Sequence, residues 1–444
     1  MSVASDSPLH SSSSDDFAAL LDAALQSSSS ESSQDQFEDE QEEVEDGTEW
    51  RKKRKLKHLD DTKDVTEQDI EVSSKAQCLH PGSVKGMCML CGERIDDVDG
   101  VALGYIHKDF KLASDELMRL RNADVKKLLS HQKLYLVLDL DHTLLNSTRL
   151  NDLIPEEEYL KEKTDSLQDV SKGALFLMHS MGMMTKLRPF VRTFLEEASK
   201  LFELHIYTMG EKRYAMEMAK LLDPDNKYFE SRVISQADSS QRHQKGLDVV
   251  LGHESAALIL DDTEGVWQNN KDNLILMDRY HFFASSCRQF DLDFKSLSEL
   301  KSDENESDGA LATVLGVLRQ IHSMFFDTED GADYASRDVR QVLRTIRKQI
   351  LQDCKLVFSR VFPLNFLPEA DRHWRMAEQL GATCSTEVED SITHVVSLDP
   401  GTEKSQWALK HDKFLVNPGW IEGTYYLWKR QQEENFAVTK PKKQ

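Results

Sequence analysis

The chain has 444 residues, room for two or three domains, and its 78 acidic against 55 basic residues give a formal net charge of −23. So acidic a chain lacks the basic face that bulk nucleic-acid binding requires, and no direct nucleic-acid partner is expected. No charged-then-apolar leader opens the sequence and no apolar run reaches about 18 residues, so no membrane partner is expected; the six unevenly spaced cysteines do not make a disulfide framework.

Residues 1–75 combine serine clusters (11–14, 27–30) with acidic stretches between Asp35 and Asp46, a composition that cannot bury a core and predicts a disordered tail. Within it Phe17, Leu20, Leu21 and Leu25 share one helical face, too short to stand alone but able to fold into a partner's groove. The run Arg51-Lys52-Lys53-Arg54-Lys55 has the density of a nuclear import signal, the alternative being a solvated, charge-balanced segment. Cys78, His80, Cys88 and Cys91 offer four soft or borderline ligands in residues 76–95. The Cys-x-x-Cys-Gly half resembles a zinc knuckle, so structural Zn²⁺ is weighed against unliganded thiols.

A polar-faced helix or two between Asp115 and Gln132 leads into the apolar run Tyr135-Leu136-Val137-Leu138, which opens onto Asp139 and Asp141. Such a run reads as a buried strand delivering two carboxylates to a sheet edge. Charge is costly to bury without a partner, and hard oxygen donors suit Mg²⁺, with Mn²⁺ a substitute. An insertion at 146–185 ends Met-rich (Met178, Met181, Met183, Met184), for core packing or a substrate edge. Apolar strands and helices then alternate: a helix over 190–201, a strand at 204–207 ending in Thr208, a helix over 213–222, and a short strand at 232–234. A helix carrying Lys245, Leu247, Val249, Val250 and Leu251 follows, then strands at 257–260, ending in Asp261-Asp262, and 273–277. This predicts a doubly wound parallel α/β sheet over 115–300, with Asp139, Asp141, Thr208, Asp261 and Asp262 at one edge.

Residues 303–308 read as an acidic linker, 310–351 as amphipathic helices, and 352–437 as a second, small α/β domain with strands at 356–358 and 392–396. A helix over 373–380 is stopped by Gly381, and Trp420 sits in the last amphipathic helix. Residues 440–444 are a basic tail. Cys287, Cys354 and Cys384 stand isolated, as small core residues do.

Asp139 is the nucleophile candidate, giving an aspartyl-phosphate, and Asp141 the proton carrier. Lys245 would hold phosphate against Asp139, Thr208 would offer donors to its oxygens, and Asp139, Asp141, Asp261 and Asp262 would supply the metal ligands. The ordered set Asp-Leu-Asp-His-Thr-Leu-Leu, Leu-Arg-Pro-Phe, His-Ile-Tyr-Thr-Met-Gly, a lysine, Leu-Asp-Asp-Thr-Glu-Gly-Val-Trp and Tyr-His-Phe-Phe resembles the haloacid-dehalogenase superfamily. Within it the set is similar to phosphatases of the RNA polymerase II C-terminal repeat domain. Leu-Gly-Ala at 380–382, Thr-His-Val-Val at 393–396 and Gly-Trp-Ile at 419–421 resemble a BRCT domain, the pairing found in TFIIF-associating members and plant phosphatase-like members.

The resemblance implies a nuclear protein-serine phosphatase acting on phosphorylated polymerase tail, with the large subunit of TFIIF as partner. It also implies that Thr143 supports the nucleophile loop and that Ser359 and Lys404 bind phosphate in the BRCT domain. Many relatives carry arginine where Gln236 and Thr263 stand, and aspartate at Gly265. The loss of a cation at 236 opens an alternative, a weakened or inactive scaffold that binds phosphorylated tail and recruits transcription partners. The missing cap domain disfavours a third, a small-molecule phosphatase.

Overall fold

The computed structural model describes residues 78–95, 99–327, 334–363 and 365–438. The tail over 1–75, its helical face at Phe17–Leu25, the basic run Arg51 to Lys55 and the tail 440–444 lie outside the described residues. The chain divides into two units, Met1–His80 and Pro81–Gln444, and every element below belongs to the second.

A small antiparallel sheet comes first: β1 (Gly82–Val84), β2 (Met87–Cys88), β3 (Gly100–Ala102) and β4 (Phe110–Ala113), in the order β2-β1-β4-β3. Strands of two to four residues are too short to show a period, so no sequence pattern announces them. Helix α1 (Ser114–Ser130) follows at once as one helix, with Asp115 and Glu116 in its first turn complementing the helix dipole and Leu117, Val125, Leu128 and Leu129 buried.

Strand β5 (Leu134–Leu138) is buried at every residue, which is why its sequence is a continuous apolar run and not an alternation. The insertion forms a three-stranded antiparallel sheet, β6 (Leu145–Arg149), β7 (Leu175–Met178) and β8 (Met183–Leu187), ordered β6-β8-β7. Leu175 and Met184 of this sheet pack with Leu160, Tyr280, Phe282 and Phe283. Helix α2 (Val191–Leu201), β9 (Phe202–Tyr207), α3 (Lys212–Leu222), β10 (Val233–Ile234), β11 (Ala257–Asp261) and β12 (Leu274–Leu276) complete a five-stranded parallel sheet, ordered β10-β9-β5-β11-β12.

Two expectations are corrected. Residues 245–251 form no helix. Gly246 lies within them and Gly252 follows, and Arg121 donates to the carbonyls of Leu247, Asp248 and Val250 at 2.6–3.0 Å, occupying groups a helix would use internally. The acidic stretch 303–308 is not a free linker at its start: Asp303 pairs with Lys186 at 2.7 Å and Glu304 with the buried Arg188.

After α4 (Ala284–Gln289), helix α5 (Ala310–Phe326) packs on α2, and α6 (Val339–Gln349) lies by the short turn before β12. The last region is a four-stranded parallel sheet. Its elements are β13 (Lys355–Ser359), α7 (Arg372–Gln379), β14 (Thr383–Ser385), β15 (His394–Ser397), α8 (Glu403–Lys410), β16 (Phe414–Val416) and α9 (Gly419–Leu427), with strand order β14-β13-β15-β16. Gly381 ends α7 at φ +94°, and a Cβ there would lie 1.8 Å from the Lys348 carbonyl oxygen, so no other residue fits. Cys287 and Cys354 are buried and Cys384 is partly so.

Candidate active site

Strand register builds the site. Leu138 lies beside Ile206 of β9 and Leu260 of β11, so Asp139, Thr208 and Asp261 emerge together at the carboxyl edge of the sheet. Asp139 N donates to Leu260 O and Thr208 N to Ile234 O, each at 3.0 Å, fixing both residues just beyond their strands. β5 is also where the strand order reverses, the place at which a crevice opens in a doubly wound sheet. The resulting cavity is about 1070 Å³ and gathers Asp139, Asp141, Thr208, Lys245, Asp261 and Asp262, with Met181 and Met183 contributed by the inserted sheet.

Lys245, nearly enclosed, donates to Asp139 Oδ1 at 2.5 Å and to Asp261 Oδ2 at 2.6 Å. Asp261 also accepts from Thr263 N at 2.7 Å and Trp267 Nε1 at 2.8 Å. Asp262 takes a different cation: Arg279 Nε reaches its Oδ2 at 2.5 Å and Thr263 Oγ1 at 2.9 Å, while no described residue donates to Oδ1. Oxygens of Asp139, Asp261 and Asp262 lie within 4.8 Å of one another, and all three residues are buried. Burial first, then the neighbouring carboxylates, push the Asp139 carboxyl well above the usual range, against the pull of Lys245. Burial alone would lower the Lys245 ammonium, but Asp139 and Asp261 together raise it, so it stays charged. A buried set of hard oxygen donors in excess of its cations fits Mg²⁺.

Asp141 leans into the same cavity. Tyr214 of α3 donates to its Oδ1 at 2.5 Å and is itself tied to Ser147 at 2.9 Å. Burial raises the Asp141 carboxyl, and the Tyr214 bond works the other way. Thr208 Oγ1 accepts from Gly210 N at 3.0 Å. The Thr143 hydroxyl is buried with no hydrogen-bond partner, whereas its carbonyl accepts from Arg188 at 3.0 Å.

The other sequence candidates sit elsewhere. Cys88 and Cys91 form a tight turn in which Leu90 N points at Cys88 Sγ (3.4 Å), Gly92 N bonds Cys88 O (3.0 Å) and Gly92 takes φ +69°. Cys78 and His80 precede it, in the first unit. Ser359 ends β13 and bonds Thr402, the residue capping α8, at 2.8 Å; the Lys404 ammonium rests on the carbonyls of Phe358 and Thr386. Gln236 is exposed and lines a neighbouring cleft with Lys212 and Arg242, not the main cavity. Sequence reasoning missed Tyr214 and Arg279 altogether and passed over Arg188 and Trp267 as motif letters. A tyrosine seven residues past a strand end, on the helix face turned to the sheet, is the signal that could have found Tyr214.

Residues 134–310 match the model of NLI interacting factor-like phosphatases, and residues 347–423 that of the BRCA1 C Terminus (BRCT) domain. The RNA polymerase II C-terminal domain phosphatase-like 4 of Arabidopsis thaliana is 58% identical over 449 residues, covering 100% of this chain and 99% of the relative. The phosphatase-like 3 of the same plant is 40% identical over 87% of this chain, which spans 31% of that longer protein. Among solved structures, Fcp1, an essential RNA polymerase II CTD phosphatase, superimposes at a TM-score of 0.57 with 25% identity, over 72% of this chain and all of the other. Matched end to end to the first of these relatives, the chain belongs to the RNA polymerase II C-terminal domain phosphatase-like family, haloacid-dehalogenase-type phosphatases that carry a BRCT domain.

Proposed function

We propose that the chain is a Mg²⁺-dependent protein-serine phosphatase that removes phosphate from heptad repeats of the RNA polymerase II C-terminal domain through an aspartyl-phosphate. The observation that carries this reading is the pair Asp139 and Asp141 facing one cavity, with Lys245 bonded to the first. Asp139 attacks phosphorus as the serine oxygen leaves, and Asp141, its carboxyl raised by burial, hands that oxygen its proton. A water then attacks the aspartyl-phosphate, Asp141 takes back the water's proton, and Asp139 is released as carboxylate with inorganic phosphate. Lys245 and Thr208 meet the phosphoryl oxygens.

Asp139, the Asp141 main-chain carbonyl and Asp262 would hold Mg²⁺, or Mn²⁺, which supplies charge neutralisation at the phosphate. Asp262 is assigned the metal because its Oδ1 is without a described donor, whereas both oxygens of Asp261 are already engaged. Asp261 orients Lys245 instead.

Four further assignments rest on the residues and the family. Cys88 and Cys91, in a turn of knuckle form, are ligands of structural Zn²⁺; metal content of a Cys88→Ser, Cys91→Ser variant tests it. Ser359 and Lys404 hold a phosphopeptide phosphate at the BRCT region. The protein works in the nucleus, with Arg51 to Lys55 as the import signal. The large subunit of TFIIF is its partner, which co-precipitation tests.

The decisive experiment is Mg²⁺-dependent phosphate release from a singly phosphorylated heptad peptide, wild type beside Asp139→Asn. Release abolished in a folded variant is expected. Equal rates would remove the nucleophile assignment, and no release from wild type would leave the scaffold reading.

A further inference from the structure

Arg347 of α6 places its guanidinium where no described acid bonds it directly, Asp272 and Glu264 acting on it only through space. Its Nη2 donates to Leu274 O at 2.9 Å, and its plane lies over the rings of Trp428 (4.6 Å) and Tyr425 (5.6 Å). Among the described residues no carboxylate forms an ion pair with it, and burial draws its pKa down from the ordinary arginine value. A cation held by one carbonyl and two ring faces is under-compensated, and an anion would relieve it.

That guanidinium lines a cleft of about 490 Å³ bounded by β12, α6, α7 and α9. Five more cations line it, Lys271, Arg340, Arg344, Lys348 and Arg375, against three acids. On a chain of net charge −23 this is a local reversal of sign. Asp338 occupies Arg340 at 2.7 Å, but the Arg344–Asp272 and Lys271–Glu264 pairs (3.3 and 3.5 Å) are solvent-exposed and weak. Lys348 and Arg375 are exposed and pair with no described acid. Arginine forks over an aromatic floor suit the tetrahedral oxygens of a phosphoryl group.

Position names the source of that group. The loop after β11 lines both spaces: Thr263 and Val266 face the catalytic cavity and Glu264 faces the cleft. A peptide leaving the cavity across this loop arrives at the cations. We propose that the cleft is a second phosphoryl site, which takes another phosphoserine of the same substrate chain whose phosphate is being removed. This rests on the phosphatase reading above, and it makes multiply phosphorylated tail the preferred substrate.

Steady-state kinetics of the full chain test it, using two-repeat peptides with one or two phosphoserines and p-nitrophenyl phosphate. Wild type should show a KM at least fivefold lower for the doubly phosphorylated peptide. An Arg344→Glu, Arg375→Glu double variant should abolish that difference, leaving kcat, the small substrate and the melting temperature unchanged. Equal KM for the two peptides in wild type, or an unchanged preference in the variant, overturns the site and leaves Arg347 as a strut between helices. Turnover of the singly phosphorylated peptide reports on the phosphatase reading separately, so the two can fail independently.

Discussion

Tyr214 donates its phenolic proton to Asp141 Oδ1 at 2.5 Å and meets Ser147 at 2.9 Å, so one hydroxyl joins α3, the inserted sheet and the loop after β5. The bond fixes which oxygen of Asp141 remains to serve a leaving group. Tyr214→Phe removes it while keeping the ring. A phosphoserine peptide needs its alkoxide protonated, so kcat should fall roughly tenfold, the worth of one charge-assisted hydrogen bond. p-Nitrophenyl phosphate, whose leaving group needs no proton, should lose much less. Equal losses on both substrates would mean that Tyr214 only packs the helix.

The two neighbouring aspartates should separate in a metal titration. Asp262 keeps an oxygen clear of described donors, whereas Asp261 is spent on Lys245, Trp267 and Thr263 N. In wild type, millimolar Mg²⁺ should raise the melting temperature saturably, since a ligand that binds only the folded state stabilises it. Asp262→Asn should flatten that response with little change in the metal-free melt. Asp261→Asn should lower the metal-free melt itself, by loosening the buried lysine. The reverse pattern would exchange their roles.

How much of this was legible follows from what each element owes to its own residues. β5 and β11 are apolar runs buried along their length, and β9 sets Glu203 and His205 among buried apolar residues, so sequence located all three to within two residues. Their Asp139, Thr208 and Asp261 could be placed at one edge because parallel strands share a direction. The helix expected at 245–251 failed because its carbonyls are capped from 126 to 129 residues away by Arg121, which no local pattern reveals. Arg279 is the same kind of case. It supplies Asp262 with a guanidinium from beyond β12, and Thr263 bonds to both.

His394 gives the BRCT region a pH dependence. It is buried on β15, stacked on Phe414 (4.9 Å) and Trp420 (4.6 Å), with Glu433 and Arg430 at its Nε2. Burial lowers its pKa to about 4, an effect that Glu433 opposes only in part. The folded state therefore stays unprotonated between about pH 6.5 and 4 while the unfolded state takes up a proton. Stability is full above pH 6.5 and is lost as pH falls, by about 2 kcal/mol at pH 5. Denaturant melts at pH 7.5 and 5 should show this loss, and His394→Phe, which keeps the stack, should reduce it. An unchanged pH slope in that variant would assign the dependence to other groups.

Glu304 should matter to both stability and turnover although it lies in an acidic stretch that reads as linker. It clamps Arg188 with two bonds, at 2.9 and 2.7 Å, and Arg188, almost wholly enclosed, donates to the carbonyls of Thr143 and Asp278 at 3.0 and 3.1 Å. Arg188 thus ties the nucleophile loop to the end of β12, with Glu304 as its counter-charge. Glu304→Ala leaves a buried guanidinium unpaired, at a cost of about 3 kcal/mol. The freed loop should also lower kcat on phosphopeptide, and Glu304→Asp should recover part of both losses. Ala substitution at Glu306, two residues on and without a described ion pair, should leave both quantities where they are. Denaturant melts and kcat for the three variants check this, and a Glu304→Ala protein as stable and active as wild type would return the segment to a plain connector.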